Sequence, residues 1–512
     1  MSIGFLVFGL AILYFFSLLA KFLHRVWWAP LRTQYAMELQ GIKGPSYKFV
    51  RGNTVEISSM KSNSMRGNME LNHDIFSRTM PHFYTWINIY GKVFYFWNGE
   101  KAELVITEPE LVKEVLNKSE SYSRTDPDKY MRKIIGDGIV ASEGEKWVKL
   151  RKLANQAFHA ENLKNMVPAM VESVEMMMKK WREEKTREVD ISKEFTFMTS
   201  EMISKTAFGS SYSQGEKVFN MLRQLSIITG RNAYKTKIPV ISDLFKNSDD
   251  RESDKMEKEI QDFFLRILDQ RKKETTREAH EKHGFGDDYL GSLLRANHDP
   301  VEKKRISVQE IIDECKTFYS AGHATTSTLL SWTALLLAID SEWQEKARQE
   351  VLEVFGPHNP NSEGLSKLKT MSMIINESLR LYPPVPINER KTTKTSKLGN
   401  LIIPPNTKIN MPILALHHDP AIWGDDAHLF KPERFSKGIA EATKNIPAAF
   451  SPFGLGPRTC VGMSFATNEA KIALCMILQR YTITLSPNYV HSPVQIMSLR
   501  PQHGVKVVLH AL

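Results

Sequence analysis

The chain opens on an uninterrupted apolar run. Ile3 to Ala20 holds eighteen residues without a charge, followed by Lys21, His24 and Arg25 and then by Trp27, Trp28, Pro30 and Arg32. At ~1.5 Å per residue a helix of this length spans the roughly 30 Å hydrocarbon layer, and the Trp pair suits the interface beyond it. Positive charge lies only after the run, which predicts a single membrane anchor with the remaining chain on the cytoplasmic side. A cleaved signal peptide would place a basic segment ahead of a shorter apolar core. Beyond the turn signal Gly41-Ile-Lys-Gly-Pro45, helical spacing dominates to about Tyr382. Glu161 to Trp181 carries Met166, Met170 and Met176 to Met178 on a stripe that reads as core packing. The charged stretch Asp249 to Glu259 continues into Phe263, Phe264, Ile267 and Leu268, predicting a long surface helix with a solvated charged face. Ser307-Val-Gln-Glu310 is a capping box, so a further helix should start at Ser307 and reach about Ile339.

Strand-like runs are short: Val93 to Phe96, Leu401 to Ile403, Thr482 to Leu485 and Val505 to Leu509. Prolines 383, 384, 386, 404, 405 and 412 mark irregular chain between them. The fold class is therefore mainly α with small β-sheets (α+β) behind one N-terminal transmembrane helix. Its organisation reads as an anchor over residues 1–22, a basic, proline-containing hinge over 23–50 and one large domain over 51–512.

Composition narrows the chemistry. Of 512 residues, 68 are Lys or Arg and 58 are Asp or Glu, a net charge of +10 spread along the chain. An excess this modest for the length, and not gathered in blocks, argues against nucleic acid as a partner and leaves room for a docking face toward an acidic one. Three cysteines, Cys315, Cys460 and Cys475, cannot staple a chain this long, which points to a reducing compartment or to chemical use of a thiol. Cys460 lies in Phe453-Gly-Leu-Gly456-Pro-Arg458-Thr-Cys460-Val-Gly462, ahead of a helical run from Met463 to Arg480. A helix N-terminus and a nearby Arg both favour the thiolate, so a lowered thiol pKa is expected. Such a thiolate is a nucleophile or a metal ligand. Without Cys-x-x-Cys pairs or clustered His, zinc is disfavoured and haem iron favoured.

These residues resemble the haem-binding loop of the cytochrome P450 superfamily, Phe-x-x-Gly-x-Arg-x-Cys-x-Gly, and the resemblance extends along the chain. Glu377-Ser-Leu-Arg380 and Pro432-Glu-Arg434-Phe435 resemble the family's buried Glu/Arg/Arg triad, a structural support for the loop. Ala321-Gly322-His323-Ala324-Thr325-Thr326 resembles its oxygen-activation motif, with Gly322, Thr325 and Thr326 as the catalytic candidates. Gly322 in mid-helix suggests close approach of a flat cofactor or of oxygen. The family's acidic position is here Ala324, so any proton relay is modified, routed through Thr325, Thr326 and water. His323 reads as a polar helix residue satisfied elsewhere. Trp147-Val-Lys-Leu-Arg151, Arg390 and Arg458 match contacts to the haem propionates, although Trp147 and Arg151 alone read equally as a cation–π pair. Lys146, Lys149 and Lys152 suit a reductase-docking patch or a solvated face.

Gly41-Ile-Lys-Gly-Pro45, Asp287-Asp-Tyr-Leu290 and Leu499-Arg-Pro-Gln-His-Gly504 look like the seventy-two clan of plant P450 enzymes. The resemblance implies haem b (iron protoporphyrin IX) held by Cys460, with Phe453, Gly456, Arg458 and Gly462 shaping its loop. It also implies NADPH used indirectly through NADPH-cytochrome P450 reductase, a membrane-lipid partner, and a hydrophobic small-molecule substrate such as a terpenoid, hormone or alkaloid. The place would be the endoplasmic reticulum membrane, single-pass, with the catalytic domain facing the cytoplasm. By the same analogy the pocket is lined from Ser121–Ile139, Cys315–Thr325, Val385–Glu389 and near Ser498. An oxygen-independent isomerase or dehydratase, encouraged by Ala324, and a non-catalytic haem protein are the alternatives.

Overall fold

Helix α1 (Ser2–Leu23) does not stop where the apolar run stops. It passes through one π turn (His24–Trp28) into α2 (Ala29–Glu38), so residues 23–38, expected as hinge, are helical. Pro30 accounts for the π turn. It has no N–H for the carbonyl four residues back, and just before it the helix widens, with the Ala29 N–H reaching His24 O. The freed Val26 carbonyl accepts the Tyr47 hydroxyl at 2.5 Å instead. Gly4–Glu38 is long and apolar enough to cross a membrane, and the rest of the chain covers none of its most apolar stretch. The chain then turns at Gly41 (φ +76°). At Gly44 a side chain is impossible, because a Cβ would lie 2.1 Å from the Tyr95 carbonyl oxygen.

This computed structural model describes residues 2–67, 69–183, 187–235, 246–277 and 284–512. Helices α3 (Ile191–Phe208), α4 (Tyr212–Asn232), α5 (Ser248–Arg277), α6 (Val308–Ile339), α7 (Lys369–Leu381) and α8 (Met463–Leu478) build its centre. The capping box of α6 is formed: Glu310 N–H donates to Ser307 Oγ at 3.1 Å and Ser307 N–H to the Glu310 carboxylate at 2.7 Å. Most of α6 from Ile311 to Leu337 is buried, and its widest partner is α3. Of the Met stripe, Met166, Met170, Met177 and Met178 pack as expected on helix Ala160–Glu183, whereas Met176 faces outward and is exposed. The charged start of α5 departs from expectation. Asp249 and Asp250 are buried rather than solvated, Asp249 on Asn232 (2.7 Å) and Arg231, Asp250 on the Tyr130 hydroxyl (2.7 Å) and Lys129 (2.5 Å).

The strands are β1 (Val93–Asn98), β2 (Lys101–Ile106), β3 (Tyr122–Ser123), β4 (Glu188–Asp190), β5 (Ile387–Thr392), β6 (Ser396–Leu398), β7 (Leu401–Ile403), β8 (Lys408–Pro412), β9 (Tyr481–Leu485), β10 (Pro493–Gln495), β11 (Leu499–Pro501) and β12 (Lys506–Ala511). They form one five-stranded sheet, β1-β2-β8-β5-β3, and three small ones. The four expected runs are β1, β7, β9 and β12. The β5–β8 pair was not expected. It lies inside the proline-rich stretch yet is antiparallel over Ile387↔Pro412 to Lys391↔Lys408, and β8 joins β2 in parallel.

Candidate active site

The Cys460 loop is built from its own backbone. Cys460 N–H donates to Phe453 O at 2.9 Å, Thr459 N–H to Gly456 O at 3.0 Å and Gly454 N–H to Ser451 O at 3.0 Å. Gly456 is required on two counts: its φ is +74°, and a Cβ there would lie 2.5 Å from Leu116 O. Gly462 caps α8, and a Cβ on it would meet only Cys460 Sγ, at 4.0 Å. Cys460 keeps an accessible surface while protein closes around it, the signature of a cleft wall. That enclosure raises its thiol pKa, with the Gly462 N–H and the charges of Arg151 and Arg124 pulling the other way. The expected lowering is therefore reversed in the protein alone, because desolvation outweighs the helix terminus and the cations.

Cations crowd this cleft. Arg458, buried, donates to Ser142 O at 2.8 Å, pairs with Glu143, and lies 4.1 Å from the centre of the Trp147 ring. The cation on Trp147 is thus Arg458 rather than Arg151. Arg151 reaches Thr459 O at 2.5 Å and Asn155 at 3.0 Å. Arg390 is buried with one bond, to Glu389 O at 2.8 Å, and burial followed by the charges of Arg124 and Arg458 brings it down to about 9. Arg124, which no motif marked, is lowered to about 10 by burial and Arg458, and its buried Nε has no hydrogen-bond partner among the described residues. Arg390, depressed by burial and then by Arg124 and Arg458, and Arg124, depressed by burial and then by Arg458, stand with Arg458 beside an accessible thiol and form a receptor for a dianionic group with a sulfur-seeking centre. The residues present fit haem and its two propionates.

The three residues of the expected triad meet. Glu377 and Arg380 are both fully buried and doubly bonded, at 2.7 and 2.8 Å. Arg380 continues to His417 O (2.9 Å), Ala427 O (2.6 Å) and Leu429 O (3.2 Å), three carbonyls of the chain leading to the Cys loop. Arg434 Nε stands 3.5 Å from Glu377, an ion pair without an aligned hydrogen bond, and its other nitrogens hold Trp423 O and Asp426. His417, absent from the motif reading, links this frame onward: its Nε2 accepts Ser451 N–H at 3.2 Å, which requires a neutral ring. Burial lowers its pKa to about 3.

On α6, Ala321, Ala324 and Thr325 retain accessible surface in the middle of an otherwise buried helix, so a cleft runs beside this turn. Thr325 Oγ1 donates to Ala321 O at 2.8 Å and Thr326 Oγ1 to Gly322 O at 3.4 Å. Gly322 has another reason than a cofactor, since a Cβ would lie 2.9 Å from Ile203 Cγ1 of α3. His323 is buried, bonded to Tyr319 O at 2.5 Å through Nδ1, and lowered to about 4 by burial. Cys315 is buried in the core rather than at a pocket wall. Beside Thr326 the carboxyl of Glu469 on α8 is fully buried, with no well-aligned hydrogen bond, and burial holds it neutral. Of the expected basic patch, Lys146 is tied to Asp137 at 2.9 Å and Lys149 to Arg305 O, leaving Lys152 exposed.

Residues 69–508 match the family model described as Cytochrome P450. Cytochrome P450 CYP749A22 of Panax ginseng is 55% identical over 493 residues, covering 96% of this chain and 94% of its own length. An 11-oxo-beta-amyrin 30-oxidase of Glycyrrhiza uralensis is 40% identical over 504 residues, 95% and 94%. Cytochrome P450 734A1 of Arabidopsis thaliana is 38% identical over 501 residues, 96% and 95%.

Proposed function

From the premise that the chain belongs to the cytochrome P450 family and is a cytochrome P450 monooxygenase, we propose that it oxidises a hydrophobic plant metabolite, with terpenoids the favoured class. Electrons would come from NADPH through NADPH-cytochrome P450 reductase. The observation that carries this reading is the cluster of Arg124, Arg390 and Arg458 beside Cys460, in which only Arg458 has a carboxylate partner, Glu143, among the described residues. Cys460 would hold the haem iron, and the three arginines, with Arg151 alongside, its propionates. Haem, when bound, would supply the activation of O2 and the insertion of one of its oxygen atoms into a C–H bond, the other leaving as water with the two electrons from NADPH and two protons, a reaction that a thiolate ligand promotes.

The chain's own residues do the rest. Glu377, Arg380 and Arg434 fix the backbone approaching the Cys loop. With Ala324 in place of a carboxylate, protons would pass by hydroxyls: Thr325 Oγ1 gives its hydrogen to Ala321 O and keeps its lone pairs for a donor in the cleft. Gly4–Glu38 would anchor the enzyme in the endoplasmic reticulum membrane with the large domain in the cytoplasm. The terpenoid preference follows the oxidase of Glycyrrhiza uralensis, whose name states a triterpene substrate.

The full chain, combined with the reductase, NADPH, O2 and a terpenoid panel that includes 11-oxo-beta-amyrin, tests this. The expected result is a product heavier by one oxygen, formed only with NADPH. Product without NADPH would establish an isomerase or dehydratase, and absence of substrate-dependent NADPH use across the panel would count against turnover.

A further inference from the structure

Lys61, on helix Thr54–Ser64, carries a charge that no carboxylate meets among the described residues. Its Nζ donates to Gln495 Oε1 at 3.3 Å and lies 4.4 Å from the centre of the Tyr234 ring. Although some of its surface is accessible, protein encloses it enough to lower the ammonium to about 8. Against the same Tyr234 ring, at 5.8 Å and edge-on, stands His82, 1% exposed, with neither ring nitrogen hydrogen-bonded among the described residues. Burial and the Lys61 charge keep His82 neutral.

An enclosed ammonium without an anion and an imidazole without a partner are each unfavourable, and here they adjoin. The carboxylates nearby are already committed. Lys408 sits between Glu389 at 2.7 Å and Glu103 at 3.6 Å, and Asn410 also bonds Glu103. One added group with two anionic oxygens would satisfy Lys61 and, once the Tyr234 ring turns aside, His82.

The position fits a substrate better than a structural anion. Gln495 ends β10, and the following turn is wedged between helices. A Cβ on Gly230 of α4 would lie 2.5 Å from Ile496, Trp332 of α6 donates to Leu499 O at 2.8 Å, and Leu499 N–H reaches Pro384 O at 3.0 Å. Tyr234 follows α4 directly and feels the charge of Glu389 on β5. Lys61 therefore borders the turn after Gln495, next to Ser498, where the family resemblance places part of the pocket.

We propose that Lys61, with Gln495, Tyr234 and His82 around it, binds the carboxylate of a hydrophobic carboxylic acid and holds that end while another part of the molecule is oxidised. This rests on the proposed function and narrows its substrate class. An ester in the same place leaves the ammonium unpaired, a loss worth roughly tenfold or more in affinity.

Equilibrium dialysis of the holoenzyme against three pairs tests it: oleanolic acid, abietic acid and hexadecanoic acid, each with its methyl ester. At least one acid should bind about tenfold more tightly than its ester. Lys61→Met and Lys61→Gln should bring that ratio to near one, while Lys61→Arg retains most of it. Ratios near one for all three pairs in the unmodified enzyme, or a preference that survives Lys61→Met, would overturn the assignment. The reduced, CO-bound spectrum of the same preparations reports separately on haem ligation, so failure of the oxidase reading and failure of the carboxylate site are distinguishable.

Discussion

Glu377 serves two arginines and the Lys431 N–H (3.0 Å) from a position closed to solvent, which makes it the residue whose loss the site tolerates least. Glu377→Ala leaves Arg380 charged and fully buried, a cost of about 3–5 kcal/mol. The expected outcome is protein without haem, measured as the haem-to-protein ratio; a full haem load would refute the supporting role. Glu377 and Arg380 were legible because one helical turn separates them, and Cys460 because its glycines are local. Arg124 and Glu143 were not. Their importance arises from the approach of the loops at 121–125 and 141–143 to the Cys loop, and no spacing in the sequence encodes that approach.

Helix α6 shows how an element carries information in both directions. Gly322 reads from sequence as room for a cofactor, whereas the crossing with α3 uses that room for Ile203. Adding a methyl at Gly322 gains helix propensity and collides with Ile203, so the two positions should couple. In a double-mutant cycle measured by denaturant unfolding, Ile203→Val should be less destabilising in the Gly322→Ala background, by about 0.5–1 kcal/mol. Strict additivity would contradict the packing account. Toward its start, α6 grips the segment 136–143. Glu314 accepts Tyr289 Oη at 2.5 Å and Ile139 N–H, and a Cβ on Gly136 would lie 2.5 Å from Asp313. The same segment supplies Ser142 and Glu143 to Arg458, so this grip reaches the Cys loop.

Burial raises the Glu314 carboxyl from 4.5 to about 7. Between those values the folded chain keeps a proton that the unfolded chain releases, so this contribution to stability is complete below 4.5 and declines as pH rises to 7. The decline approaches about 3 kcal/mol. Unfolding of Glu314→Gln at pH 5 and pH 7.5 should lack that component; a pH dependence equal to that of the unmodified protein would contradict it.

At the scale of the whole molecule, the apolar N-terminus and the mainly helical class were legible because long periodic segments outweigh local exceptions. The β5–β8 pairing was hidden by prolines that sit at its ends, and the helical stretch 23–38 by Pro30, whose missing bond a π turn absorbs. The net charge of +10 is now partly placed, in arginines turned inward on the cleft rather than only outward toward a partner. Orientation has its own test in Asn117 and Asn376, both in Asn-x-Ser sequons. Asn117 backs onto Gly456, where a Cβ would lie 2.7 Å from its Oδ1, and Asn376 adjoins Glu377. Neither should carry a glycan after production in a eukaryotic cell, and a mass shift removed by a deglycosidase would reverse the proposed topology. The most direct test of the central claim, a haem iron held by Cys460, is the absorption spectrum of the reduced, CO-bound protein. The Soret band should lie at the longer wavelength of thiolate ligation and disappear from there in Cys460→His while circular dichroism stays native. A band at the histidine position in the unmodified protein, or one unmoved by Cys460→His, would contradict it.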